Sequence, residues 1–500
     1  MGYVLLALIA IPLLSAPVFM AVPSRYPQLT RYVAALGAAA MFALSLLVFI
    51  AYEYQGGSGL RYTLQWDWLE NVGLLRENGI TLHLAVDGIA APMVLLTGIV
   101  ALAAVFVSWN INFRNKDFFV LLFVLISGVY GVFVSQDLFF LFFFYELAVL
   151  PMYLLIAVWG ASSDFGTFIR TKEYGAMKLV LYLVAGSALI FIAIFATFVE
   201  ADKGTFDLPA LGSATYGESF QKWVFPLYMI GFGVLAGMWP LHTWSPDGHV
   251  AAPTGVSMLH AGVLMKLGAF GILRVGITLL PEGAHFWAPV LMTLGVTGAL
   301  YGAISALAQT DLKYMVGYSS VSHMGYVLMG LATMNNIGVN GAVLQMFAHG
   351  VMTALMFTNV GAVYDQAHTR DMTTFGGIAR RMPRHSAFFA IAGLSSLGLP
   401  GLAGFVAEFH IFVGAFRAGY WWAGALGILA AAITATYILR MLAHAYFGPL
   451  NERWEGLKEM RPGEQFAGAL LIAFIIFMGV WPAPFVDRIT DSVKNIPGIS

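Results

Sequence analysis

The chain has 500 residues, 59% hydrophobic and only 10% charged, with a mean hydropathy of +0.80. A soluble globular chain carries about a quarter charged residues, so this is an all-α polytopic membrane protein; a net charge of −1 leaves no basic surface for nucleic acid and no acidic tail for a cationic partner. Cysteine is absent, which excludes disulfides, thiolate metal sites, iron–sulfur clusters, covalent haem and cysteine nucleophiles, and leaves carboxylates, lysines and 11 histidines to carry any chemistry.

The first apolar run begins at Tyr3 with no basic residue ahead of it, so it reads as a membrane helix rather than a cleaved export signal. Leu6 stands where myristoylation needs Ser or Thr. A spanning helix requires roughly 20 apolar residues. Such runs recur about fourteen times, near 3-22, 31-52, 87-109, 118-135, 137-159, 174-199, 223-240, 250-276, 285-309, 313-333, 338-364, 385-416, 421-447 and 466-486. The largest polar stretches, 53-86, 200-222, 365-384 and 448-465, are too short for a soluble domain, so residues 1-500 form a single membrane domain. With the N-terminus outside, fourteen Lys and Arg, among them Lys313 and Arg370, fall in cytoplasmic loops against eight on the other side, which favours both termini outside.

Two spans are interrupted. The seventh runs into Gly237-Met238-Trp239-Pro240, and the twelfth contains Gly398-Leu399-Pro400-Gly401-Leu402-Ala403-Gly404. Proline removes a backbone donor and glycine loosens the helix. Corresponding breaks in two halves of a membrane chain point to repeated bundles with an ion or substrate path through the broken helices; two ordinary proline kinks are the plainer alternative.

Four charges sit where the bilayer core should be. Glu146 lies nine residues after Asp137, about 14 Å along a helix at ~1.5 Å per residue and therefore near mid-depth. Lys178, Lys266 and Glu408 are likewise enclosed by apolar sequence. An isolated ion there costs several kcal/mol or more, so such groups pair, titrate or line a hydrated path. His260, His323, His349 and His410 add groups that exchange protons near neutral pH. A lone histidine in a membrane is more often a packing residue, but two lysines and two glutamates in four different spans favour proton translocation. His242 and His249 flank a turn containing Pro246 and Asp247, where turn and capping chemistry outweighs a metal site because no third ligand follows. The histidines are too scattered to pair around a haem. The aromatic run Phe139 to Tyr145 covers every side of a helix and reads as packing and lipid contact.

These residues carry a resemblance. Trp239-Pro240-Leu241-His242-Thr243-Trp244-Ser245-Pro246-Asp247, Ala252-Pro253-Thr254, the Lys266 segment, Asp311-Leu312-Lys313, Tyr318-Ser319-Ser320-Val321-Ser322-His323-Met324-Gly325, Gln345-Met346-Phe347-Ala348-His349-Gly350 and His368-Thr369-Arg370-Asp371-Met372 together resemble the antiporter-like membrane subunits of respiratory complex I and their Mrp antiporter relatives. The likeness runs from about Asp87 to Tyr446. Within that family, Glu408 in Gly404-Phe405-Val406-Ala407-Glu408-Phe409 is similar to the chain type with glutamate in the broken twelfth helix, where sister types have lysine.

The resemblance implies two inverted five-helix repeats, 118-276 and 285-447, each holding half a proton channel joined by a central polar axis. It implies Glu146 as the fifth-helix acid, Lys266 as the eighth-helix relay base, His323 and His349 as links to the second half, and Glu408 as the terminal acid. It implies no cofactor in this chain, with quinone, FMN and iron–sulfur clusters in partner subunits of an NADH:quinone oxidoreductase-type translocase. The expected partners are other membrane subunits, including sister antiporter-like chains, in a bacterial cytoplasmic membrane. One departure stands out: the family's seventh-helix lysine is Leu235 here, and the proline two residues further on is Gly237. The expected partner of Glu146 is missing, which puts pair switching there in doubt and makes His260 or Lys178 the candidates for a replacement base. The rival readings are a subunit of a multisubunit cation/proton antiporter, against which Glu408 counts, and a structural membrane subunit that does not pump.

Overall fold

A computed structural model describes residues 2–23, 25–54, 59–76, 79–164 and 169–500. Helices α1 (Gly2–Ala21) and α2 (Pro27–Tyr54) lead to an antiparallel hairpin of β1 (Arg61–Leu69) and β2 (Ile80–Val86). Next come α3 (Ala90–Val107), α4 (Asn115–Val134), α5 (Leu138–Trp159) and α6 (Lys172–Ala201). Helices α7 (Glu218–Leu235) and α8 (Trp244–Ala251) precede α9 (Thr254–Ile277). The chain continues through α10 (Pro281–Leu307), α11 (Leu312–Ala332), α12 (Asn336–Ala367), α13 (Pro383–Ser396) and α14 (Ala403–Arg417). It ends with α15 (Trp421–Tyr446), α16 (Pro462–Val480) and α17 (Ala483–Val493).

Among the described residues, 11 helices are long and apolar enough to cross a membrane. The other three expected spans are α11 and the two interrupted ones, α7–α8 and α13–α14. Their polar residues and breaks, the features that make them interesting, lower their hydropathy or length. Both breaks occur where the sequence places them: Gly237 has φ +73° between α7 and α8, and Gly398 and Gly401 have φ +75° and +91° between α13 and α14. A side chain strains such backbone and glycine does not.

Several boundaries differ from expectation. Residues 244–251, read as a turn, form α8, so the eighth span begins at Thr254 after Pro253 rather than at 250. The last expected span divides into α16 and α17. The polar stretch 53-86 holds the hairpin, in which Leu84 bridges to Ser135 and so ties the strand to the α4–α5 connection. Helix α9 also has two π-turns, His260–Leu264 and Ile272–Ile277, flanking Lys266; such bulges concentrate at functional sites and have no sequence signature here.

Packing sorts the helices into an inner and an outer set. The most apolar windows of α9 and α12 are 100% buried and that of α3 89%, against 28% for α1 and 39% for α6. Small residues let helices approach: a Cβ on Gly325 of α11 would meet the Ala299 nitrogen of α10 at 2.4 Å. Lys266 and His349 therefore sit on helices buried on every side, whereas Glu146 and Lys178 lie on helices of the outer set.

Candidate proton-relay site

The centre of the site is a row of side chains on four elements. Lys266 of α9 is fully buried, its Nζ bonded to the Ala261 carbonyl that the π-turn leaves available and 2.6 Å from Nδ1 of His349 on α12. The His349 ring stacks on His323 of α11 at 5.3 Å between centroids. His323 Nε2 stands 3.7 Å from Glu408 Oε1 on α14 and donates to the Ser396 carbonyl at 3.1 Å. That carbonyl is at the end of α13, released by the helix break. Nδ1 of His323 faces the Ser319 carbonyl at 2.8 Å, and the Ser319 hydroxyl accepts from Tyr437 at 2.7 Å. A neutral ring has one N–H, so the two carbonyls can both be served only by the protonated ring. Glycine at 398 is needed here for space as well as for φ, because a Cβ would lie 2.7 Å from Glu408 Oε2.

Beside this row lies a pair the sequence did not join. His249, expected to be a turn residue, is inside α8, and its ring is 3.8 Å from that of His260. Trp244 stacks on the other side of His260 at 5.2 Å, and Phe357 on His249 at 5.2 Å. All four ring nitrogens of this pair are buried without a hydrogen-bond partner among the described residues. Among the described residues no hydrogen bond joins His260 to Lys266, whose amine is turned to His349.

Lys178 is placed elsewhere. Its Nζ is 2.8 Å from Asp247 Oδ2, whose other oxygen takes Arg170 at 2.5 Å and the Tyr314 hydroxyl at 3.1 Å. A buried carboxylate with two cations is a compensated charge, so Lys178 is not the substitute partner of Glu146. Glu146 itself is half-buried on α5; its Oε1 has no partner among the described residues, and the Ser187 hydroxyl is the polar side chain beside it. Leu235 is fully buried in the last turn of α7. His410 donates to the Val406 carbonyl one turn back on its own helix, a packing role.

Two of the charges counted in the cytoplasmic loops are buried. Lys313 is buried in the first turn of α11 and donates to the Ala252 carbonyl at 2.7 Å. Arg370 is buried too, bound to Asp311 at 3.0 Å, the Val250 carbonyl and the Ser163 hydroxyl. Neither is a free loop charge. Asp247 and Lys313 stood in the quoted motifs and His249 beside the turn that follows the first of them, and what the sequence lacked was the fold that turns them inward.

Outside the spans, Asp137 caps α5 by accepting from the Phe139 and Phe140 amides, and burial pushes its carboxyl up to about 7 against the pull of those hydrogen bonds. His83 Nδ1 meets Asp207 at 2.5 Å nearby.

Buried acids and bases arranged in series across broken helices define a multi-pass, ion-handling membrane protein. Residues 135–434 match the family described as NADH:quinone oxidoreductase/Mrp antiporter, TM, and the chain belongs to that family. It is 36% identical to NAD(P)H-quinone oxidoreductase chain 4 3 of Trichormus variabilis over 98% of this chain and 90% of that one. A chain 4 2 of Thermosynechococcus vestitus is also 36% identical, over 96% and 89%. A chain of respiratory complex I from Thermus thermophilus superposes with a TM-score of 0.87 at 26% identity, covering 99% of both. A chain of the Mrp complex from Dietzia gives a TM-score of 0.87 at 18% identity, a likeness of fold alone, covering 99% of this chain and 97% of that one.

Proposed function

We propose that this chain is a proton-translocating membrane subunit of a complex I-like quinone oxidoreductase, driven by electron transfer in partner subunits. The observation that carries the reading is the contiguous row Lys266, His349, His323 and Glu408 at the centre of the bundle. The chain 4 relatives and the complex I likeness support the parent enzyme. Quinone, FMN and iron–sulfur clusters belong to the partners, sister antiporter-like chains lie among those partners, and the complex sits in a bacterial cytoplasmic membrane. The repeats 118-276 and 285-447 each supply one half of the path.

The transfers follow from the contacts. An N–H bond of the Lys266 ammonium breaks as one forms at His349 Nδ1, leaving a neutral amine. His323 turns its Nε2–H from the Ser396 carbonyl to the Glu408 carboxylate, where that N–H bond breaks as an O–H bond forms, and the ring left neutral then gains an N–H bond as His349 gives up one of its own. Each step moves one proton and restores the donor for the next. Electrostatics sets the direction, since a second positive charge beside a buried Lys266 or His349 is repelled. Glu146 stands apart from this row, and with Leu235 in place of lysine no base among the described residues is paired with it.

The test is redox-driven proton uptake in vesicles containing the intact parent complex, comparing the natural chain with Lys266→Ala and Glu408→Gln at matched assembly. Loss of this chain's share of uptake in both supports the relay. Undiminished uptake in both makes the chain a scaffold, the reading that Leu235 favours.

A further inference from the structure

A second charged feature lies on the outer helices, away from the proton row. Helix α1 stops at Ala21, α2 starts at Pro27, α3 stops at Val107 and α4 starts at Asn115. A cavity of about 330 Å³ opens where these four ends meet, among Thr30, Asn112, Arg114, Asn115, Lys116 and Asp117. It is on the face to which α5 runs, because Trp159 Nε1 donates to the Phe113 carbonyl at 2.7 Å. Three cations stand around it against one carboxylate. Arg114 and Lys116 line it, and Asp117 is bound to Arg114 at 2.7 Å. Lys116 gives two of its donors to the Val22 and Met20 carbonyls at the end of α1, at 2.7 and 3.3 Å. Arg31 stands behind the wall, only 5% exposed, donating to the Asn112 side-chain oxygen at 2.6 Å and the Ile111 carbonyl at 3.3 Å. Among the described residues no carboxylate pairs with Arg31 or Lys116, and Arg31 Nε has no partner. A buried cation without an acid is costly, and an anion from outside the chain offsets it.

The first turn of α4 acts in the same direction. Its N-cap residue, Arg114, gives no side-chain cap, so the backbone N–H groups and the positive end of a 20-residue helix are left for an anion. Thr30 lines the cavity and is fully buried, yet its hydroxyl has no partner among the described residues, and neither has Asn115 Oδ1 in the same wall. Buried polar atoms are normally paired, and one ligand with both acceptors and a donor would serve these two.

We propose that this cavity holds the headgroup of an anionic phospholipid of the phosphoglycerol type. Its phosphate oxygens accept from Arg114, Lys116 and the Thr30 hydroxyl and offset Arg31, and a glycerol hydroxyl donates to Asn115 Oδ1. A zwitterionic headgroup would bring a further cation to a place where cations are already in excess. The rim decides for a lipid over free phosphate. Met20, Leu29, Tyr32 and Phe113 are exposed around it, and the most apolar windows of α1 and α2 are only 28% and 33% buried, so acyl chains have apolar surface to lie on that a free ion does not need. The site is independent of the relay reading.

The experiment places the intact parent complex in phosphatidylcholine nanodiscs doped with phosphatidylglycerol that carries a photoreactive group near the top of one acyl chain. A phosphatidylcholine probe with the same group runs in parallel, and labelled peptides of this chain are read by mass. The expected result is saturable labelling of the α1–α2 and α3–α4 connections by the phosphatidylglycerol probe, weak labelling by the phosphatidylcholine probe, and no change when inorganic phosphate is added. Thr30→Val keeps the shape of the side chain and removes its hydroxyl, and Arg114→Gln removes an exposed charge, so both are compared at matched assembly. Each should weaken the probe's apparent affinity roughly tenfold, the worth of one hydrogen bond to a charged group, while Thr30→Ser keeps it. Equal labelling by the two probes, no labelling at these connections, or full affinity in Thr30→Val overturns the site. Loss of phosphatidylglycerol labelling on adding inorganic phosphate gives the cavity to a free anion and overturns the lipid.

Discussion

The two membrane glutamates make the instructive contrast. Glu408 is buried beside a helix break, 3.7 Å from His323, with a glycine opposite its other oxygen. Glu146 is half-buried on an unbroken helix, beside the Ser187 hydroxyl, and the fully buried residue at the lysine position of α7 is Leu235. The same acid is therefore wired into a row of bases in one half of the chain and stranded in the other. Depth makes a carboxyl in a membrane costly; the neighbours decide whether the cost is turned to transport.

The largest effect should come from cutting the row next to Lys266. His349→Leu leaves the buried amine with the Ala261 carbonyl but without its side-chain acceptor, a loss of about 1–3 kcal/mol in stability, and is expected to abolish this chain's proton transfer. Thermal unfolding and vesicle uptake would check the two parts separately. Gly398→Ala comes next: φ +75° and a Cβ 2.7 Å from Glu408 Oε2 should cost about 1–3 kcal/mol and slow uptake by displacing the carboxylate. A change that preserved both rate and melting temperature would show that the break does not position Glu408.

The contrast can also be sharpened from the stranded side. Leu235→Lys should give Glu146 a partner, so that Glu146→Gln, without effect in the natural chain, lowers uptake in the Leu235→Lys background. Additivity of the two changes would mean the residues do not couple. The smallest effect on transport is expected at Asp137, outside the spans. Its folded carboxyl titrates at about 7 against 3.8 for the free group. Stability from that raised value is complete below about 4 and is lost as pH rises through about 7. Asp137→Asn should remove this loss while leaving the α5 cap in place, and melting curves between about pH 5 and 8 read it directly.

Much of the architecture was legible from hydropathy, because bilayer thickness fixes helix length, and the two breaks were legible because proline and glycine act locally. The site was legible in part. Lys266, His323, His349 and Glu408 declared themselves by charge in apolar sequence, but their order in space depends on which helices lie inside the bundle. Lys178 shows the limit: its apolar surroundings suggested a relay, whereas the fold gives it Asp247. His249 and Lys313 show the converse. Each lies at a span boundary where linear reading places turns and loops, and the packing of α8 against α11 buries them. The π-turns beside Lys266 depend on tertiary packing and leave no trace in residue spacing.

The most direct measurement is proton uptake per quinol formed in vesicles with the intact complex, comparing Glu408→Gln with Glu146→Gln at matched assembly. Glu408→Gln is expected to lose this chain's share of uptake and Glu146→Gln to retain it. Retention in Glu408→Gln with loss in Glu146→Gln would contradict it and return the path to the fifth-helix acid.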